Sequence, residues 1–137
     1  MSRWVCPRCD REFGRAHQSH VCVPGMTVEE CFAPWPPAYR EIYDALVDFL
    51  STLGAVHADA VTVGVFLKRE RTLAEIRPKA RCLSLELVLP RRIDHPRVAR
   101  SIRLTADRTV NVVKLTRPED VDDEVRAWLA EAYHAAA

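Results

Sequence analysis

Cys6-Pro-Arg-Cys9 sets two thiols at the spacing of a tight knuckle whose sulfurs can face a single ion. His17, His20 and Cys22 come next. Two of these three would complete a tetrahedron: His20 with Cys22, or His17 with either. Four protein ligands close the coordination shell and leave no place for water, so the expected Zn2+ is structural rather than catalytic. Phe13 stands where such modules need an apolar plug, and Trp4 could cover the same site. So short a segment cannot fold on apolar burial. Zinc binding supplies on the order of 10 kcal/mol or more at neutral pH, and in such segments that is folding energy. The competing readings are reduced surface thiols, or a redox pair that lacks the usual βαβ surroundings.

Lys68 is the most interesting titratable residue of the remaining chain, because it arrives on an apolar strand with Gly64 and Phe66. A partly buried Lys can bind an anion or act as a base of lowered pKa. It can also merely snorkel at the strand end. Arg69, Arg71, Arg77, Lys79, Arg81, Arg91 and Arg92 accompany it at strand ends and turns. From Val61 to Arg117 there are 14 Lys or Arg against 5 Asp or Glu, a net of +9, whereas the rest of the chain has 6 against 14, a net of −8. Gathered at one sheet edge, the eight cations would form an anion- or nucleic-acid-binding surface for DNA or RNA, salt-sensitive and indifferent to sequence. The same asymmetry also suits an acidic helix lying beside a basic sheet. Phe66 is the only aromatic residue in that window, which argues against a base-stacking platform. Phosphate-loop, dinucleotide, zinc-protease and nucleophile-elbow motifs are all missing. A metal-dependent nuclease would want Glu-x-Lys on a strand, and Val88 occupies the Lys position after Glu86.

The elements that must carry these residues can be read from periodicity. Tyr39, Ile42, Tyr43, Leu46, Val47 and Leu50 form one apolar face of a helix that starts near Ala38 and stops before Gly54. Val61, Val63, Val65 and Leu67 alternate as a strand, as do Thr72 to Arg77 and, most strongly, Leu83, Leu85, Leu87 and Leu89. Ser101–Leu104 and Arg108–Leu115 read as a hairpin turning at Ala106-Asp107. A last helix from about Pro118 to Ala135 has an acidic first turn and a buried stripe of Val121, Val125, Trp128, Leu129 and Ala132. The expected architecture is α+β: an N-terminal zinc knuckle, a helix, an antiparallel sheet of about five strands and a C-terminal helix. Its divisions are 1–24 for the knuckle, 25–37 for an extended Pro-rich linker pinned by Phe32 and Trp35, and 38–137 for the main domain.

A chain of 137 residues can bury a real core in one domain. No apolar run reaches the ~18 to 20 residues of a membrane span, and the N-terminus lacks a signal core, so a cytoplasmic location without membrane contact is expected. Isolated Cys31 stands outside the knuckle, and Cys82 reads as a small buried hydrophobe.

Trp4-x-Cys6-Pro-x-Cys9-x-Arg-x-Phe13 with Gln18-Ser-His20-x-Cys22 resembles the start of a group of small uncharacterised bacterial proteins. The likeness extends through Gly64-Val-Phe-Leu-Lys68-Arg69, Leu89-Pro-Arg-Arg92-Ile-Asp94 and Asp120-Val-Asp-Asp-Glu-Val. Members of that group carry a domain of unknown function after the knuckle. The position of His17 there is often a polar residue that cannot bind zinc, so the resemblance favours Cys6, Cys9, His20 and Cys22. It implies no activity. The leading expectation is therefore a non-enzymatic zinc-containing protein that meets nucleic acid through its basic sheet. A protein-interaction or small-anion-binding module is the alternative, and an enzyme centred on Lys68 a third reading. A concave pocket with Lys68 deep inside would promote the last two.

Overall fold

Two short strands, β1 (Trp4–Val5) and β2 (Glu12–Phe13), pair antiparallel around the Cys-x2-Cys sequence, with Trp4 opposite Phe13. The computed structural model describes residues 3–7, 11–17 and 26–137. Cys9, His20 and Cys22 lie outside the described residues. Cys6 is buried and its N–H donates to the Arg11 carbonyl at 2.9 Å, extending the pairing one step toward the turn.

The segment expected to be an extended linker carries a short helix, α1 (Val28–Phe32). Thr27 and Glu30 make reciprocal capping bonds that satisfy two otherwise orphaned N–H groups. Phe32 is buried against Tyr43 and Trp35 stacks on Tyr39, so both aromatic residues do pin this stretch to the main body.

Helix α2 (Pro37–Leu53) buries Ile42, Leu46 and Leu50, as its spacing predicts. Six strands come after it: β3 (His57–Val61), β4 (Gly64–Lys68), β5 (Thr72–Pro78), β6 (Leu83–Leu89), β7 (Val98–Thr105) and β8 (Arg108–Leu115). They pair antiparallel in the order β3-β4-β5-β6-β8-β7. The main sheet thus has six strands rather than about five, with the two-stranded hairpin in addition. Val61 and Val63 do not continue into Val65, because the chain turns at Thr62-Val63 and β3 folds back along β4. Gly64 suits this return: a Cβ there would collide with the Ile76 carbonyl oxygen of β5. Strands β6 and β7 are consecutive but not adjacent, since β8 lies between them.

One face of the sheet presents Val65, Leu67, Ala74, Ile76, Leu83, Leu85, Leu87, Val113 and Leu115 to α2 and to α3 (Asp123–Ala135), which is preceded by a 3-10 turn at Pro118–Asp120. The opposite face carries Asp59, Phe66, Lys68, Glu75, Arg77, Ser84, Glu86 and Lys114, as the register requires. The hairpin lies on this second face, over β3 and β4. Both outer strands are guarded. Met26 bridges to Ala60 on β3, while β7 has irregular register near both ends and exposes Arg100 and Arg103. Among the described residues, no helix is long and apolar enough to cross a membrane.

Asp122 opens α3 by accepting from the Val125 N–H at 3.1 Å, and it also pairs with Arg97 at 2.9 Å. Its carboxyl is held below the usual range, first by the bond from Val125 and then by Arg97. Asp122→Ala is expected to cost about 1 kcal/mol in denaturant melts at pH 7. A depressed acid stabilises the fold above its unfolded pKa, so the difference between variant and parent should shrink as pH falls through the folded-state value. A difference that persists unchanged at pH 2 would contradict the cap.

Candidate functional site

The expected cluster of eight cations is divided among several places. Arg69 and Arg71 serve the end of α3: Arg69 donates to the Tyr133 carbonyl at 3.3 Å and Arg71 to that of Ala135 at 3.1 Å. The backbone N–H groups of Glu70 and Arg71 both reach the Ala136 carbonyl. The turn between β4 and β5 therefore caps the negative end of a helix dipole with two guanidinium groups. Arg91 forms a two-bond fork with Glu131 at 2.8 and 2.9 Å, and Arg97 and His95 meet Glu124 at 3.6 and 2.9 Å. Acidic α3 beside a basic sheet thus accounts for part of the charge asymmetry. Arg92 is exposed, and Arg77, Lys79 and Arg81 lie at the far end of the sheet, on β5 and the β5–β6 turn.

Lys68 lies under the hairpin. Its residue is 6% exposed, and its Nζ donates to Asp59 at 3.1 Å and to the Glu12 carbonyl at 3.3 Å. The ammonium is 4.4 Å from the centre of the Phe13 ring, a cation–π contact that also ties hairpin to sheet. Asp59 receives a second cation from the hairpin, Arg11, whose Nε is 2.9 Å away. All three side chains are 7–8% exposed. Burial pulls the Lys68 pKa down, while the charge of Asp59 opposes that shift. Of the three, Lys68 alone stands out in the sequence. Its partners Asp59 and Arg11 give no periodic signal.

Beside this triad is a cleft of about 420 Å³ lined by Arg3 and Gly14 of the hairpin segment, His57 and Lys68 of the sheet, Arg69 and Glu70 of the β4–β5 turn, and Tyr133 of α3. Gly14 lets the two halves approach, since a Cβ there would be 2.5 Å from the Glu70 carbonyl oxygen. Arg3 spans them, with Nη1 donating to the Arg69 carbonyl at 3.2 Å. Its Nε and Nη2 are buried without a hydrogen-bond partner, and Nε is 3.8 Å from the Glu12 carboxylate. Those two nitrogens form the edge that guanidinium groups use to hold carboxylate or phosphate. His57 is 3.6 Å from Glu12, and burial, reinforced by Arg3, pulls its pKa down. The cleft therefore joins an underused guanidinium edge to an ammonium with one N–H donor to spare.

A profile described as a domain of unknown function (DUF5655) matches residues 28–136. No curated protein and no solved structure matches the chain.

Proposed function

Because the chain belongs to the DUF5655 family, a domain family of unknown function, we propose from the site's own chemistry that it is a binding protein for a small carboxylate- or phosphate-bearing anion. The observation that carries this reading is Arg3, whose Nε and Nη2 are buried without a hydrogen-bond partner, in the lining of a cleft that Lys68 and Arg69 share. Buried polar groups without partners are costly, and an anion at this place would satisfy both. Lys68 supports binding rather than base catalysis, because Asp59 and the Glu12 carbonyl both hold its charged form.

The reading includes a structural zinc held by Cys6, Cys9, His20 and Cys22. Cys6 suits such a role, being buried where the chain leaves β1, in a hairpin that brackets the Cys-x2-Cys sequence. His17 is exposed and its ring lies 5.2 Å from that of Trp4, which supports His20 as the histidine ligand. The metal would fix the hairpin and leave ligand contact to Arg3 and the sheet.

Calorimetric titration with inorganic phosphate and with acetate tests the reading. Parent protein should bind at least one of the two, and Arg3→Ala should weaken that binding at least tenfold. Arg3→Lys should fall between them, having the charge without the fork. Arg91→Ala, remote from the cleft, should bind like the parent. Equal affinity in parent and Arg3→Ala would remove the cleft from consideration, as would no heat with either anion at millimolar concentration.

A further inference from the structure

The opposite end of the sheet offers a second basic surface, most of whose cations have no acidic partner among the described residues. Arg77, Ser84 and Lys114 stand directly across from one another on β5, β6 and β8, on the face away from the helices. Two strand spacings separate the outer pair, or about 10 Å. The β5–β6 turn at the same end adds exposed Lys79 and Arg81. Among the described residues, no ion pair reaches Lys79, Arg81 or Lys114. Arg77 is held by Glu75 at 3.2 Å, and Arg117, 70% exposed just past β8, is 3.8 Å from Asp120.

Two further observations suit an anionic partner. Ser84 is 2% exposed and its Oγ has no hydrogen-bond partner, although it stands between two cations. An acceptor drawn between Arg77 and Lys114 would give that hydroxyl its missing bond. The Tyr39 hydroxyl donates to the Lys79 carbonyl at 2.6 Å, and half-buried Trp35 stacks on the Tyr39 ring, so the turn is held in place from behind. Glu75 and Glu86 face each other one row further along the sheet. They would repel an anion laid along the strands, so a polyanion has to run across the strand ends, from the β5–β6 turn toward the end of β8.

We infer that this end of the sheet, Arg77, Lys79, Arg81 and Lys114 with Ser84 between them, binds the phosphodiester backbone of nucleic acid without regard to sequence. The cations are at strand ends and a turn with no aromatic platform among them, which suits phosphate contact and not base readout. This surface is separate from the cleft, and neither reading depends on the other.

Fluorescence anisotropy with labelled 20-nucleotide single strands and duplexes provides the test. With roughly four phosphates neutralised, affinity should fall about 50-fold or more between 50 and 200 mM salt. The triple variant Lys79→Ala/Arg81→Ala/Lys114→Ala should lose at least 30-fold at 50 mM salt and show a shallower salt slope. Replacing Lys79 and Lys114 by Arg should retain binding. All three side chains are exposed, and matching thermal melts would confirm that the variants are folded. Arg91→Ala/Arg92→Ala, at the other end of β6, should bind like the parent. The inference is overturned by no parental binding at 50 mM salt, by a triple variant that binds as well as the parent, or by polyglutamate competing as strongly as DNA.

Discussion

Asp59→Ala should remove about 3–5 kcal/mol of stabilisation, the cost of leaving the buried Lys68 ammonium without its counter-charge. Among the described residues, Asp59 is the acid that meets both Arg11, at 2.9 Å, and Lys68, at 3.1 Å. Coulomb attraction in this setting offsets the desolvation of both cations, and an alanine removes the negative charge that Arg11 and Lys68 share. The molecule has a way to relieve that loss. Lifting the hairpin off β3 and β4 would hydrate Arg11 and Lys68 while the helix-packed core remained intact, because that core draws nothing from β1 or β2. The loss should therefore appear first as undocking: faster hydrogen exchange at Cys6, whose N–H bonds to Arg11, and red-shifted Trp4 emission. Global urea unfolding should change less than local exchange does. Asp59→Asn should lose nearly as much, since the amide keeps the shape without the charge. The second variant Lys68→Met leaves the Arg11–Asp59 pair in place and should cost markedly less. If Asp59→Ala exchanges at Cys6 like the parent, the triad does not hold the hairpin.

What could be read in the sequence was whatever repeats at the period of its element. Leu83 to Leu89 alternate because every second residue meets the helices, and α2 shows its face at i, i+3 and i+4 for the same reason. Strand β3 escaped notice because His57-Ala58-Asp59-Ala60 lacks the bulk that signals burial. Its polar face is covered by a hairpin from 48 positions earlier in the chain, and the pairing of Asp59 with Arg11 and Lys68 makes that tolerable. Lys68 was legible since a charge at the end of an apolar strand is odd in itself. Arg3 was not, because its significance is two donors left idle at a boundary between segments. The basic run misled by its density. Arg69 and Arg71 look like neighbours of Lys68 on one surface, yet both turn to carbonyls of a helix more than 60 positions away. Charge counts locate cations along the chain, and only the fold says which already have partners.

Purified protein is expected to hold one equivalent of zinc, and removing it should unmake the hairpin while sparing the α+β body. The hairpin strands are two residues each, far too short to persist on backbone bonds alone. Cys6 and Phe13 are buried there, but the two strands stand apart from the main core, so their order needs another source of free energy. A tetrahedral metal site can supply on the order of 10 kcal/mol. Treatment with a strong chelator should expose the Cys6 thiol to a colorimetric reagent and release Trp4 from Phe13 and His17, against which it packs at 6.1 and 5.2 Å. Far-UV circular dichroism should change little, because the helices belong to the body. Cys6→Ser and His20→Ala should lower the zinc content by elemental analysis, and His17→Ala should leave it at one equivalent. That contrast separates the two histidines. It also links the metal to the cleft: Arg3 and Gly14 reach the cleft only from a docked hairpin, so chelated protein should lose phosphate binding even though every cleft residue is still present. Metal-free protein with the Cys6 N–H still protected from exchange would show that the hairpin stands without zinc, and the Arg11–Asp59–Lys68 triad would then be what holds it.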